Sequence, residues 1–100
     1  MFWCNVFYDK KDVLVVVCDE ELLGKKLKIK EKGITVEVSE KFYGGRLVDE
    51  ETVVKLLKTA TIGNLMGEKI VNLATENGFI VKENVILIDG VPHAQFVKLI

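Results

Sequence analysis

The side chains best suited to chemistry gather near the end of the chain, in Asn84-Val85-Ile86-Leu87-Ile88-Asp89-Gly90-Val91-Pro92-His93-Ala94-Gln95. His93 is the only histidine and Pro92 the only proline. A neutral imidazole offers one donor and one acceptor, and each carboxamide offers both. His93, Gln95 and Asn84 together therefore suit recognition of bases, backbone amides or a partner's loop. Acid–base catalysis at His93 would need an orienting partner and a reacting group in reach, for which Glu68, Asp89 and Cys18 are the candidates. Metal ligands would have to come from scattered carboxylates and two cysteines. No catalytic residue, metal or cofactor is assigned.

The elements that must position these groups follow from Asp89-Gly90. Asp-Gly between two apolar runs signals a tight hairpin, because both central residues of a type I′ turn need positive φ. If Ile88 faces Val91, then Ile86 faces His93, Val85 faces Ala94 and Asn84 faces Gln95. The two-residue period puts His93, Gln95 and Asn84 on one face, with Pro92, Ala94, Phe96, Val85 and Leu87 on the other.

Three further groups are candidates for binding. In Phe42-Tyr43-Gly44-Gly45-Arg46 the paired glycines permit unusual backbone conformations, and Tyr43 with Arg46 could hold a ligand or pack the loop down. The spacing fits neither a P-loop nor a dinucleotide fingerprint. Asn64 and Glu68 open a predicted helix, with Gly67 permitting a close approach by another element or a ligand. Lys26, Lys28 and Lys30 alternate with Leu27 and Ile29, which reads either as a lysine-guarded edge strand or as a row of phosphate contacts.

Composition bounds the class. One hundred residues, 49% hydrophobic and 29% charged, describe a single globular domain spanning residues 1–100. A net charge of −1 argues against a broadly basic nucleic-acid wrapper. No apolar run approaches the roughly 20 residues that span a bilayer, and no signal-type segment is evident, so a cytoplasmic location without membrane association is expected. One arginine among 14 basic residues, with abundant Glu, Val and Ile, suggests a heat-adapted source.

An N-terminal hairpin, Phe2–Tyr8 with Val13–Cys18, is predicted to pair Tyr8 with Val13, Cys4 with Val17 and Trp3 with Cys18. In that register the cysteines face opposite ways and stay reduced unless a bulge intervenes. Both faces are apolar, as in a central strand. Asp19 is expected to cap a short helical turn ending near Gly24. Ile34–Val38 alternates as another strand. Asp49 caps a helix of about 49–59 carrying Val53, Leu56, Leu57 and Ala60. A second helix of about 64–77, capped by Asn64, buries Met66, Ile70, Leu73 and Ala74 and stops at Asn77-Gly78. The two form an αα-hairpin packed on a mainly antiparallel sheet with N- and C-terminal hairpins.

With Phe42-Tyr43-Gly44-Gly45, Asn64-Leu65-Met66-Gly67-Glu68 and Gly90-Val91-Pro92-His93-Ala94-Gln95 in order, the chain resembles the archaeal domain of unknown function 424 family. That family carries a loose label as RNA-binding or translation-associated. The resemblance implies a compact α+β domain, an archaeal cytoplasmic setting and no established activity. Tyr43, Gly44, Gly45, Asn64, Gly67, Glu68, Pro92, His93 and Gln95 carry over as motif residues only.

The function expected first is a non-enzymatic protein binding RNA or a ribonucleoprotein linked to translation. The alternative is a protein-interaction or self-association module that adds its closing hairpin to a partner's sheet. A small-molecule enzyme centred on His93 comes third.

Overall fold

The computed structural model describes residues 1–99 and shows an α+β fold. Its strands are β1 (Phe2–Tyr8), β2 (Val13–Asp19), β3 (Lys26–Ile29), β4 (Ile34–Glu37), β5 (Arg46–Val48), β6 (Ile62–Met66), β7 (Ile86–Ile88) and β8 (Val91–Val97). Its helices are α1 (Glu40–Tyr43), α2 (Glu50–Thr59) and α3 (Glu68–Glu76), with short 3-10 turns at Glu20–Leu22, Lys30–Lys32 and Lys82–Asn84. Six strands form one sheet in the order β5-β1-β2-β6-β8-β7, and β3 and β4 form a separate ribbon. Every pairing is antiparallel except β2 with β6.

Both terminal hairpins have the register expected of them. Trp3 lies opposite Cys18, Cys4 opposite Val17 and Tyr8 opposite Val13. Ile88 lies opposite Val91 and Ile86 opposite His93. Asp89 and Gly90 have φ of 52° and 76°, as a type I′ turn demands. Cys4 and Cys18 are buried on opposite faces as free thiols. Burial raises their pKa values to about 11 and about 12, so both stay protonated.

α2 and α3 cover one face of the sheet. Val53 and Leu57 of α2 and Ile70, Val71 and Ala74 of α3 pack on Cys4, Val15, Val17, Leu65 and Ala94. The opposite face is only partly roofed. There Leu22, Leu27, Val38 and Tyr43, from the first 3-10 turn, the ribbon and α1, cover Val16, Cys18 and Met66.

The second helix begins later than its periodicity suggests. Residues 62–66 pair with β2 and β8, so Asn64 is a mid-strand residue rather than a cap. Met66 packs on the face away from α3. A strand therefore separates the two helices, and they do not form an αα-hairpin. Asp49 caps α2 as expected, accepting from Thr52 N at 2.9 Å, and Gly78 at φ 76° follows the end of α3.

The cap of α3 comes from far away. Asp19, expected to cap its own local turn, makes no bond there. Its carboxylate accepts from Lys69 N and Ile70 N, each at 2.9 Å. These are two of the N–H groups that a helix start leaves without partners. Gly67, at φ 126°, has no side chain to offer, and a Cβ there would lie 2.3 Å from the Asp19 carboxyl carbon. The close approach that Gly67 permits is thus to this carboxylate. Burial pushes the Asp19 pKa up, against the opposing pull of the two N–H groups.

Gly67→Ala should lower the unfolding free energy by about 1–3 kcal/mol, from backbone strain and displacement of the cap. In an Asp19→Ala background, itself destabilised by the lost cap, the penalty should shrink because the clashing atoms are gone. Urea titration of the four members of the cycle measures this coupling; strictly additive losses would contradict the geometry.

Candidate functional site

Because the ladders are in register, the partly open face resolves into rows running across the strands. The first row is Leu47, Trp3, Cys18, Met66, His93 and Ile86. The second is Asn5, Val16, Asn64 and Gln95, three carboxamides with one valine among them. The third is Phe7, Leu14, Ile62 and Val97. The roof covers the middle of the first row. Beyond it the surface opens, leaving Gln95 exposed, Asn5 and Asn64 half-buried, Phe7 39% exposed and Val97 64% exposed. Phe7 stacks on Phe42 with centroids 5.6 Å apart and planes 17° from parallel.

His93, Gln95 and Asn84 come together, with Ile86, around a shallow depression of about 300 Å³. Asn84 reaches it from a 3-10 turn, since the ladder ends at Ile86 and the strand pairing expected for Val85 and Asn84 does not form. Gln95 and Asn84 are exposed, whereas His93 is only 8% exposed. Its Nε2 lies 3.2 Å from Gln95 Nε2. A carboxamide N–H donating to Nε2 places the ring proton on Nδ1. Nδ1 is sealed and has no partner in hydrogen-bond geometry among the described residues, although the Leu65 carbonyl favours a ring proton. Desolvation outweighs that carbonyl and holds the His93 pKa below its ordinary value.

Tyr43 and Asn64 meet on the same face: the buried Tyr43 hydroxyl donates to Asn64 Oδ1 at 2.5 Å. Burial raises the Tyr43 pKa, so the phenol stays protonated. Tyr43 thus pins α1 to the centre of the sheet and holds one carboxamide of the second row. Gly44 and Gly45 carry the chain tightly away from α1. A Cβ at Gly44 would lie 2.5 Å from the Glu40 carbonyl oxygen, and one at Gly45 would lie 2.6 Å from that of Cys4. Both glycines therefore accommodate the protein's own backbone.

The remaining candidates are dispersed. Arg46 lies opposite Cys4, whose side chain belongs to the helix-covered face, so Arg46 and Tyr43 do not converge. Glu68 sits at the start of α3, beside Asp19 and Pro92 around a separate small recess. Lys26 lies opposite Glu37 and Lys28 opposite Thr35, while Lys30 leaves the strand for a 3-10 turn. The three do not form the single strand row that alternation suggested, and none lines the depression. Phe7 and Asn5, not singled out from the sequence, complete the open face; the parity of β1 was the signal that pointed to them. Among the described residues no group of three or more His, Cys, Asp or Glu side chains could hold a metal ion. Nor is any helix among them long and apolar enough to cross a membrane.

A mainly antiparallel sheet with helices on one face and a partly roofed opposite face defines the class as an α+β fold. The chain belongs to the DUF424 family, described as protein of unknown function, whose model matches residues 7–99. It is an archaeal family: the fold is similar to the crystal structure of an uncharacterized conserved protein from Methanopyrus kandleri, at 28% identity and a TM-score of 0.82, covering 95% of this chain and 89% of that one. No curated protein matches the chain.

The lowered His93 pKa sets a pH dependence. The unfolded ring takes up a proton near pH 6.5 and the folded ring only at lower pH. The contribution of neutral His93 is therefore present above pH 6.5 and lost as pH falls through the folded value, with a slope of at most about 1.4 kcal/mol per pH unit. His93→Gln should flatten this limb in urea titrations between pH 7 and 5; an unchanged limb would contradict a buried neutral imidazole.

Proposed function

We propose that the domain is a non-enzymatic binding module whose working surface is the open sheet face, and that its ligand is single-stranded RNA, free or within a ribonucleoprotein of the cytoplasmic translation apparatus. The supporting observation is the register that sets Asn5, Asn64 and Gln95 in one row and Phe7, 39% exposed with one ring face on Phe42, at the β1 end of the next. Asn5 bonds Val6 N and the Lys41 carbonyl and Asn64 Oδ1 accepts from Tyr43, which makes Gln95 the most exposed carboxamide of the row. Unstacked bases are recognised by stacking on aromatic rings and by hydrogen bonds to their edges, and this face offers both. With a net charge of −1 and Lys26 opposed by Glu37, phosphate attraction contributes little. No titratable side chain other than His93 lines the depression, so acid–base catalysis there lacks a second group.

Affinity for mixed-sequence single-stranded RNA should therefore fall only gently with salt, with a slope of about one or two ions. Phe7→Ala should weaken binding by about five- to a hundred-fold, the range for losing one base–aromatic stack. Reversing Lys26, Lys28 and Lys30 to Glu should change it less than three-fold, roughly the effect of weakly engaged surface charges. Fluorescence anisotropy on the three proteins tests this. No binding at low salt, or loss on lysine reversal with indifference to Phe7, would rule it out.

One observation favours a second reading. β7 is the outer strand of the six-stranded sheet, and Ile86 and Leu87 are 56% and 70% exposed. Edges are normally guarded by lysine or proline, as the lysines of β3 guard the ribbon. An extended strand from a partner or a second copy would fit beside β7. On that reading Leu87→Lys abolishes a complex seen by light scattering, while the three lysine reversals leave it intact.

A further inference from the structure

We propose that the depression beside β7 is a pocket for one neutral planar heterocycle, an unstacked nucleobase, held between Ile86 and the polar edge formed by Asn84, Gln95 and His93. This rests on the reading of the open face as an RNA surface and names what the shallow depression in it takes. The volume of about 300 Å³ is at the small end of ligand pockets and matches a ring better than a folded peptide. No charged side chain lines it, so it offers a phosphate, a carboxylate or an ammonium group no counter-charge. What it offers is uncharged and amphoteric: two carboxamides, each with a donor beside an acceptor, the pattern that base edges also present.

His93 anchors the polar edge: its Nε2 lies 3.2 Å from the Gln95 carboxamide nitrogen, while its Nδ1 is sealed from solvent near the Leu65 carbonyl and out of a ligand's reach. Gln95 is exposed, and its side chain is the only side-chain partner of Nε2 among the described residues. A base edge entering the depression bonds the Gln95 carboxamide, which His93 Nε2 holds in place. Ile86, exposed and opposite His93 in the ladder, then covers one face of the ring.

Nuclear magnetic resonance titration of the full chain with uridine, cytidine, adenosine and guanosine tests the proposal, with ribose 5-phosphate and N-acetylglycinamide as comparators. At least one nucleoside should shift the side-chain amides of Asn84 and Gln95 and the His93 ring signals together, and ribose 5-phosphate should not. Asn84→Ala and Gln95→Ala, both at exposed positions, should each weaken that nucleoside at least five-fold while the remaining spectrum stays folded. Absence of nucleoside shifts at these three residues overturns the pocket, as does an equal response to N-acetylglycinamide, which would make it a peptide-amide site. If RNA binds through Phe7 while nucleosides leave these residues unmoved, the pocket falls alone. If nucleosides bind here and single-stranded RNA does not bind the chain, the pocket stands and the RNA surface falls.

Discussion

Thr61 joins β6 to β2 by donating its backbone N–H to the Val13 carbonyl while its hydroxyl accepts from Val13 N, both at 2.9 Å. The parallel ladder that follows sets Leu14 beside Ile62, Val16 beside Asn64 and Cys18 beside Met66. Since side-chain direction alternates along a strand, a one-residue slip in this central pairing would send every β6 side chain to the wrong face. Gly63 would no longer accept the Phe96 ring that now lies over it, and Asn64 would lose Tyr43. The rows across the open face exist because this junction and the two terminal hairpins agree in register.

The same junction explains the division of labour between the faces. Gly63 and Leu65 point toward α2 and α3, where a Cβ at position 63 would lie 2.1 Å from Phe96. Phe96 in turn stacks on Phe79, with the Lys98 ammonium 5.6 Å from the Phe79 centroid and 5.7 Å from that of Phe96. That face is closed by packing. The other face keeps polar side chains because its roof, built from α1 and a two-stranded ribbon, reaches the β7–β8 turn and Val91 but leaves Gln95 and Val97 of β8 uncovered. Tyr43 bonds the roof to the centre of the sheet, with Asn5 Nδ2 donating to the Lys41 carbonyl and Lys28 N donating to Asp89 Oδ2 as further ties, so it orders the surface without forming its exposed part.

What the sequence revealed follows the range of the interactions involved. The register of both hairpins was legible because a four-residue turn after Tyr8 and an Asp-Gly turn after Ile88 set it locally, although the last ladder stops at Ile86, short of the pairing expected for Val85 and Asn84. Asp49 and Gly78 were legible as helix boundaries for the same reason. β6 was misread because Asn64 looks like a cap and Glu68 like a first-turn acid, while Ile62-Gly63-Asn64-Leu65-Met66 has few strand-forming residues. Pairing on both sides overrides that local preference. The capping of α3 by Asp19 lies 50 residues away in sequence and leaves no local trace except an unexplained Gly67. The His93–Gln95–Asn84 cluster was visible from parity, but the burial of His93 and the participation of Phe7 and Asn5 depend on where the roof stops.

The central claim, that the unroofed sheet face is the working surface, is tested most directly by mapping amide and side-chain chemical shifts on the full chain as single-stranded RNA is added. The account predicts perturbations confined to Asn5, Phe7, Asn64, Gln95 and their neighbours in the three rows. Perturbations centred on α2 and α3, with that face silent, would contradict it.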